Sequence, residues 1–350
     1  MRNLFKFAGN DYLGLSTHPA VLEGLYRAAK VHGVSAASSR WALGWTPLHA
    51  ELEQGLQEWL ECEDACIISA AYLGGSIYYS QMAALGRRVV FCDAMVHSNQ
   101  FLGMRAAGLD VRTFRHLDVA DLRRMTAGYD GPPAIIATDG VFGISGEVAD
   151  VAALAEVAGA ICAELFVDDA HGVGVLGMHG NGALEIAGLH PGGFVTVLGS
   201  MSKAMGANGG FMAGRRELVE RFRRSPEASG VTSLPAPMVG AALAALNLIR
   251  HDAGLRQRME RNATCMRQIL ASEGVALADH RHPILGMLLR DESEAAALDQ
   301  HFVRHGLWIP YFKYASEPRQ NLLRGAARAV YSDEQLENFA KAVRTRPRVK

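Results

Sequence analysis

The sequence predicts an α/β protein with a mostly parallel sheet covered by helices on both faces, followed by a small C-terminal α+β domain. Three observations predict it. Short apolar runs alternate with helical patterns through the first two thirds of the chain, as parallel sheets buried on both faces require. Residues able to do chemistry, Asp139, Asp168 and Lys203, fall just after such runs, where the strands of an open α/β sheet present their ligand-binding loops. The character then changes after Pro237. A chain of 350 residues has room for one large and one smaller domain. The expected division is an N-terminal segment at 1–25, a large domain at 26–250 and a small one at 251–350.

In chain order, the runs at 65–69, 89–92, 134–138, 165–167, 195–198 and 210–212 read as buried strands. Helical stretches lie between them, including 48–60, 74–84 and 151–163. Beyond Pro237 a helix-compatible segment runs through 241–249 and on to Leu270. Short alternating runs follow at 284–289 and 307–311, with an apolar patch at Leu322-Leu323. A last helix at 333–343 places Leu336, Phe339, Ala340 and Val343 at helical spacing. The basic tail 344–350 is expected to be loosely ordered.

Composition narrows the function classes. Hydrophobic residues make up 49% and charged residues 20%, ordinary for an α/β enzyme. A net charge of −1 gives no basic surplus for nucleic acid or anionic membrane. The short run Arg221-Phe222-Arg223-Arg224 reads as a solvated helix end. Five scattered cysteines, Cys62, Cys66, Cys92, Cys162 and Cys265, suggest reduced thiols rather than a disulfide framework or a metal site. Met1 to Phe7 carries no long apolar stretch of the signal-peptide kind, and no apolar run is long enough for a bilayer, so the expected location is the cytoplasm.

Two motifs carry the chemistry. The run Phe166-Val167-Asp168-Asp169-Ala170-His171-Gly172 ends a buried stretch in two acids and a histidine. Gly199-Ser200-Met201-Ser202-Lys203-Ala204 follows, with Lys203 lying 35 residues after Asp168. Pyridoxal 5'-phosphate (PLP) chemistry needs these groups. A lysine holds the aldehyde as a Schiff base, and a carboxylate keeps the pyridine nitrogen protonated so that the ring accepts electrons. Asp168 takes the carboxylate role, with Asp169 the more structural of the pair; a turn cap is the structural alternative for Asp168. His171 is placed to reach the ring oxygen or the reacting centre, its alternative being a core histidine. Gly206, Gly209 and Gly210 after Lys203 let backbone approach a ligand.

With these motifs the chain resembles the α-oxoamine synthase family of fold-type I PLP enzymes over nearly its whole length. The resemblance starts at Asn10-Asp11-Tyr12-Leu13-Gly14-Leu15. It continues through Pro47-Leu48-His49 with Leu52-Glu53, then Asp139-Gly140-Val141-Phe142, Val167 to Gly172 and Ser202-Lys203, and closes at Leu322-Leu323-Arg324. It implies a fold-type I transferase with a seven-stranded, mostly parallel sheet. It also implies Lys203 as the Schiff-base lysine, Asp168 as the pyridinium partner, His171 at the phenolic oxygen and His97 stacked on the ring. Ser200, Ala71 and Tyr72 would hold the phosphate, Thr232 would reach the phosphate of a neighbouring subunit, and Asp139 would lie among the cofactor-binding residues. Arg324 would hold the amino-acid carboxylate through a bidentate pair, with Asn10 and His49 at the edge of the site. A homodimer with shared sites follows from the same resemblance.

The departures bear on the second substrate. Ser35-Ala36-Ala37-Ser38-Ser39-Arg40 stands in place of a glycine-rich stretch, Gly143 in place of a serine, and Asp139 where some members carry glutamate. The phosphate loop Ser69-Ala70-Ala71-Tyr72-Leu73-Gly74-Gly75 lacks its usual asparagine. With Asn10 so near the first residue, little of the family's N-terminal helical segment is expected. The leading expectation is a PLP-dependent decarboxylative condensation of an amino acid with an acyl thioester, from acyl-CoA or an acyl carrier protein, giving an α-amino ketone. Two alternatives stay open. One is another PLP carbanion reaction (aldol-type, transamination, racemisation or coupling to a non-acyl electrophile), and the other is a non-catalytic PLP-fold partner subunit. Neither nucleic acid, membrane nor metal is expected as a partner.

Overall fold

The computed structural model describes residues 4–275, 277, 282–313 and 321–347. The last three residues of the basic tail lie outside the described residues. The chain divides into two units, one formed by Leu15–Phe142 and Val148–Asp252, the other by the described residues of 1–14, 143–147 and 253–350.

In chain order the strands are β1 (Phe5–Lys6), β2 (Asp64–Ile68), β3 (Val89–Asp93), β4 (Asp110–Phe114), β5 (Ala134–Asp139) and β6 (Glu164–Asp168). Then come β7 (Val195–Ser200), β8 (Gly210–Gly214), β9 (Ile284–Leu288), β10 (Leu307–Trp308), β11 (Tyr311–Lys313) and β12 (Asn321–Ala326). The larger unit carries a seven-stranded sheet in the order β2-β8-β7-β6-β5-β3-β4. Only β8 runs against its neighbours, pairing antiparallel with both β2 and β7. The six expected runs are all strands, and β5, β6 and β7 are buried along their whole length. Their apolar side chains have helices to pack against on either face, which is why the runs read as continuous rather than alternating.

β4 was not expected. Of its residues only Phe114 is buried, because it is an edge strand paired with β3 alone, and a polar edge carries no apolar signature. The helix expected to reach residue 163 ends as Val151–Ala160, where Ile161 leaves helical geometry and Cys162 takes φ +52°. The basic run also differs from its expected form. Arg221 and Arg224 are exposed, but Arg223 turns inward and grips Asp64 through Nη1 and Nη2 at 2.6 and 2.5 Å. That ion pair fastens the helix Arg216–Arg224 to the start of β2. At Gly24 and Gly240 the helices Pro19–His32 and Ala236–His251 cross closely: a Cβ on Gly24 would sit 2.5 Å from the Gly240 carbonyl oxygen.

In the smaller unit β11-β12-β9 form an antiparallel sheet, and β1 pairs in parallel with β10. The run expected at 307–311 therefore splits, its first residues bonding to β1 and its last to β12. The helix expected to continue to Leu270 is two helices, Ala236–His251 and Ala253–Ser272, broken where Asp252 adopts φ −114°, ψ 84°. Phe7, Phe302, Leu323, Phe339 and Val343 lie in the core of the smaller unit. Among the described residues no helix is long and apolar enough to cross a membrane.

Candidate active site

The carboxyl ends of three adjacent strands gather the chemistry of the larger unit. β5 ends at Asp139 and β6 at Asp168, and parallel pairing puts these two residues in register. β7 ends at Ser200, and the turn that follows carries Lys203, half-buried. His171, also half-buried, lies in the turn after β6.

Asp168 is buried, and its Oδ1 accepts the Ala170 N–H at 3.2 Å. Its Oδ2 has no hydrogen-bond partner among the described residues. Burial raises its carboxyl above the usual range, while the charge of Lys203, the Ala170 N–H and His97 pull it back toward the ionised form. Asp139 is pushed much higher, by burial and then by the charge of Asp168 beside it. Two carboxylates in register do not both ionise cheaply, so Asp139 keeps its proton and Asp168 carries the charge.

Asp139 also shapes the neighbouring turn. Its oxygens accept the His97 N–H at 3.2 and 3.3 Å, and Oδ1 accepts Gln100 Nε2 at 2.6 Å. Gln100 in turn accepts the Tyr79 hydroxyl at 2.8 Å. His97 starts the helix Ser98–Ala106, with Nδ1 2.7 Å from the Asn99 amide oxygen. Asn99 Nδ2 donates to the Tyr72 carbonyl at 3.1 Å, and the Tyr72 and His97 rings meet edge-on with centroids 6.3 Å apart. Nothing in the sequence singled out Asn99 or Gln100. They join the turn at Tyr72, His97 and Asp139 into one hydrogen-bonded group.

Ala71 and Tyr72 open a 3-10 turn, Ala71–Leu73, that leads into the helix Gly74–Ala84. N–H groups at such a start have no intrahelical acceptor and face an anion favourably. Ser200 Oγ lies 2.9 Å from Ser202 Oγ. Gly210 pairs with Ser200, and a Cβ there would come within 2.6 Å of the Ala71 Cα, so only glycine lets the turn seat against the end of β7. A buried carboxylate with an unbonded oxygen, a lysine on the next strand end and a helix start beside two serine hydroxyls together fit the pyridine nitrogen, aldehyde and phosphate of PLP.

Asp169 does the structural work its neighbour does not. It is fully buried, and its Oδ2 accepts the Ala183 N–H at 2.7 Å. Thr232 is exposed, bridges to Ser39, and offers its carbonyl to the Ser69 hydroxyl at 2.8 Å. His49 is buried with both ring nitrogens engaged. Nδ1 accepts the Thr46 N–H at 3.2 Å and lies 2.8 Å from the Thr46 hydroxyl, and Nε2 lies 2.7 Å from the Leu234 carbonyl. Burial lowers its pKa, so it is a neutral helix-start residue, and neither nitrogen is left for a substrate. Arg40 of the altered 35–40 segment binds Glu53 at 2.7 and 2.9 Å and lies 3.5 Å over the Trp45 ring.

In the smaller unit Arg324 is buried and surrounded by neutral acceptors. Nε donates to the Gly143 carbonyl at 2.6 Å and Nη1 to the Gly9 carbonyl at 3.4 Å. Nη2 donates to Asn10 Oδ1 at 2.8 Å and to the Tyr12 hydroxyl at 3.2 Å. Among the described residues no carboxylate pairs with it. Arg324 and Asn10, two of the expected substrate residues, are bonded to each other, and Tyr12 is a third member the sequence did not single out.

Fold and site together define a PLP-dependent fold-type I protein. A family model described as aminotransferase class I and II matches residues 2–343. The 8-amino-7-oxononanoate synthase of Alkalilimnicola ehrlichii is 31% identical over 344 residues, covering 98% of this chain and 88% of the relative. The same-named enzyme of Chromohalobacter salexigens is 32% identical over 343 residues, covering 97% and 88%. Among solved structures, serine palmitoyltransferase from S. paucimobilis superposes with a TM-score of 0.92 at 25% identity, covering 98% of this chain and 87% of that one, and holds PLP. An 8-amino-7-oxononanoate synthase from Francisella tularensis shares the fold, with a TM-score of 0.82 at 21% identity and 97% coverage of both chains. The chain belongs to the class I and II aminotransferase family, in its α-oxoamine synthase branch.

Proposed function

We propose that this protein joins an amino acid to an acyl thioester, from acyl-CoA or an acyl carrier protein, with loss of carbon dioxide, and so makes an α-amino ketone. The observation that carries the reading is the placement of Asp168 and Lys203 after adjacent strands of the sheet, in a chain 31% identical to an 8-amino-7-oxononanoate synthase across 98% of its length. Bound PLP supplies an electron sink for negative charge developing at the amino acid Cα. Asp168 holds the proton at the ring nitrogen, the task for which its neighbour Asp139 stays neutral. Lys203 is the covalent anchor, and its Nζ then carries the proton to and from Cα. His97 would cover a face of the ring and His171 would bond its oxygen. The N–H groups at Ala71 and Tyr72 and the Ser200 hydroxyl hold the phosphate. Arg324 and Asn10 hold the amino acid's carboxylate until that carbon leaves.

In the reaction a carbon–carbon bond forms between Cα and the acyl carbon. The carbon–sulfur bond breaks and the thiol departs. The bond from Cα to the carboxylate carbon then breaks, and carbon dioxide departs. The family resemblance supports a homodimer in which Thr232, exposed in this chain, would reach the neighbouring copy's phosphate. A cytoplasmic location fits substrates carried on coenzyme A. Lys203→Ala tests the anchor: it should abolish the absorbance of lysine-bound cofactor and the formation of amino ketone. A variant that still bound the cofactor covalently would overturn the reading.

A further inference from the structure

Asn10, Tyr12 and Arg324 bond to one another in an arrangement whose directions can be worked out from the donors. Arg324 only donates. Its Nη2 spends both N–H bonds, one on Asn10 Oδ1 at 2.8 Å and one on the Tyr12 hydroxyl oxygen at 3.2 Å. The Tyr12 oxygen is therefore an acceptor toward Arg324, and its own hydrogen points at Asn10 Oδ1, 3.4 Å away. The Asn10 oxygen thus receives two donors, which fixes the amide so that its NH2 end faces the other way. Nε is committed to Gly143, and one Nη1 N–H reaches Gly9. Of the five guanidinium N–H bonds, one on Nη1 stays uncommitted among the described residues.

We infer that Tyr12 is the positioning residue that fixes the Asn10 amide, so that a carboxylate is gripped by Arg324 Nη1 and Asn10 Nδ2 together rather than by a two-pronged fork of Arg324 alone. This rests on the reading that Arg324 receives the amino acid's carboxylate. Tyr12 suits the task because it is completely buried. Burial raises its phenol above the ordinary value against the pull of Arg324, so it keeps the hydrogen it directs at Asn10. A phenylalanine fills the same space without setting either bond.

The test compares Tyr12→Phe, Asn10→Asp and Arg324→Ala holoproteins with the parent. Amino-acid affinity is read from the absorbance change on binding, alongside KM and kcat. An amine of the same side chain that lacks the carboxylate serves as the second probe. Tyr12→Phe should raise the amino acid's dissociation constant and KM about tenfold, in line with losing one hydrogen bond to a charged group, with a smaller change in kcat. The carboxylate-free amine should bind it as it binds the parent. Asn10→Asp removes the NH2 donor and adds a repelling charge, so its loss of amino-acid affinity should be larger. If Arg324→Ala weakens the amino acid but Tyr12→Phe leaves it unchanged, the positioning role is overturned while the Arg324 reading survives. If Arg324→Ala leaves amino-acid affinity unchanged, the Arg324 reading itself fails. Equal losses for amino acid and amine in Tyr12→Phe would mark a general structural role and overturn the inference.

Discussion

Asp139 and Asp168 stand side by side in register, yet the proposed chemistry needs them in opposite charge states. Burial raises both, and the charge of Asp168 keeps Asp139 neutral. An amide imitates a protonated carboxyl in shape and charge, so Asp139→Asn should keep turnover within about tenfold, whereas Asp168→Asn should lose about a hundredfold or more. Equal losses in steady-state rates would contradict the division of roles. Asp169 gives a pH signature of its own. Burial pushes it up to about 8, with the Ala183 N–H pulling the other way. Its unfolded value lies near about 3.9, so on raising the pH the unfolded chain loses this proton first. The stabilisation from keeping it neutral is whole below about pH 4 and is lost as pH rises through the folded value. Asp169→Asn cannot ionise and should give a flatter Tm across that window; an unchanged slope would remove Asp169 from the account.

Strand ends do the positioning at the scale of elements. β5, β6 and β7 deliver Asp139, Asp168 and Ser200 to one end of the sheet, and β8 returns past them so that Gly210 faces the Ala71–Leu73 turn. A Cβ at Gly210 would meet Ala71 backbone at 2.6–2.7 Å, and backbone cannot swing aside as a side chain can. Gly210→Ala should displace the turn, weaken cofactor affinity and cost about 1–3 kcal/mol of stability. Equilibrium dialysis of PLP and urea melts check both, and unchanged cofactor affinity would show that the turn is not held by this contact. The same elements show what a sequence can display. β5 and β6 were legible because both faces are buried. β4 was not, since Asp110 and Thr113 face solvent along an edge. The break at Asp252 was hidden because helical patterning continues on both sides of one residue.

Across the whole molecule, the placement of Asp168 and Lys203 after adjacent strands was legible because buried runs ending in polar residues are conspicuous in a doubly covered sheet. The supporting residues were not. Tyr12 lies in the Asn10–Leu15 motif, but spacing does not tell which polar atoms its hydroxyl meets, and nothing marks Gln100; only the folded chain shows what each touches. His49 was visible as a motif residue, but its burial against Leu234 could not be read from spacing. The family relation spans 98% of the chain, so the proposed chemistry belongs to the molecule as a unit. The central claim is that amino-acid decarboxylation is coupled to acyl transfer. Its most direct measurement is the stoichiometry of carbon dioxide, free thiol and amino ketone from a carboxyl-labelled amino acid and acyl-CoA, across a panel of both substrates. The account predicts one labelled carbon dioxide and one thiol for each amino ketone, with none formed by Lys203→Ala. Amino-acid turnover without thiol release, with or without acyl-CoA, would contradict it.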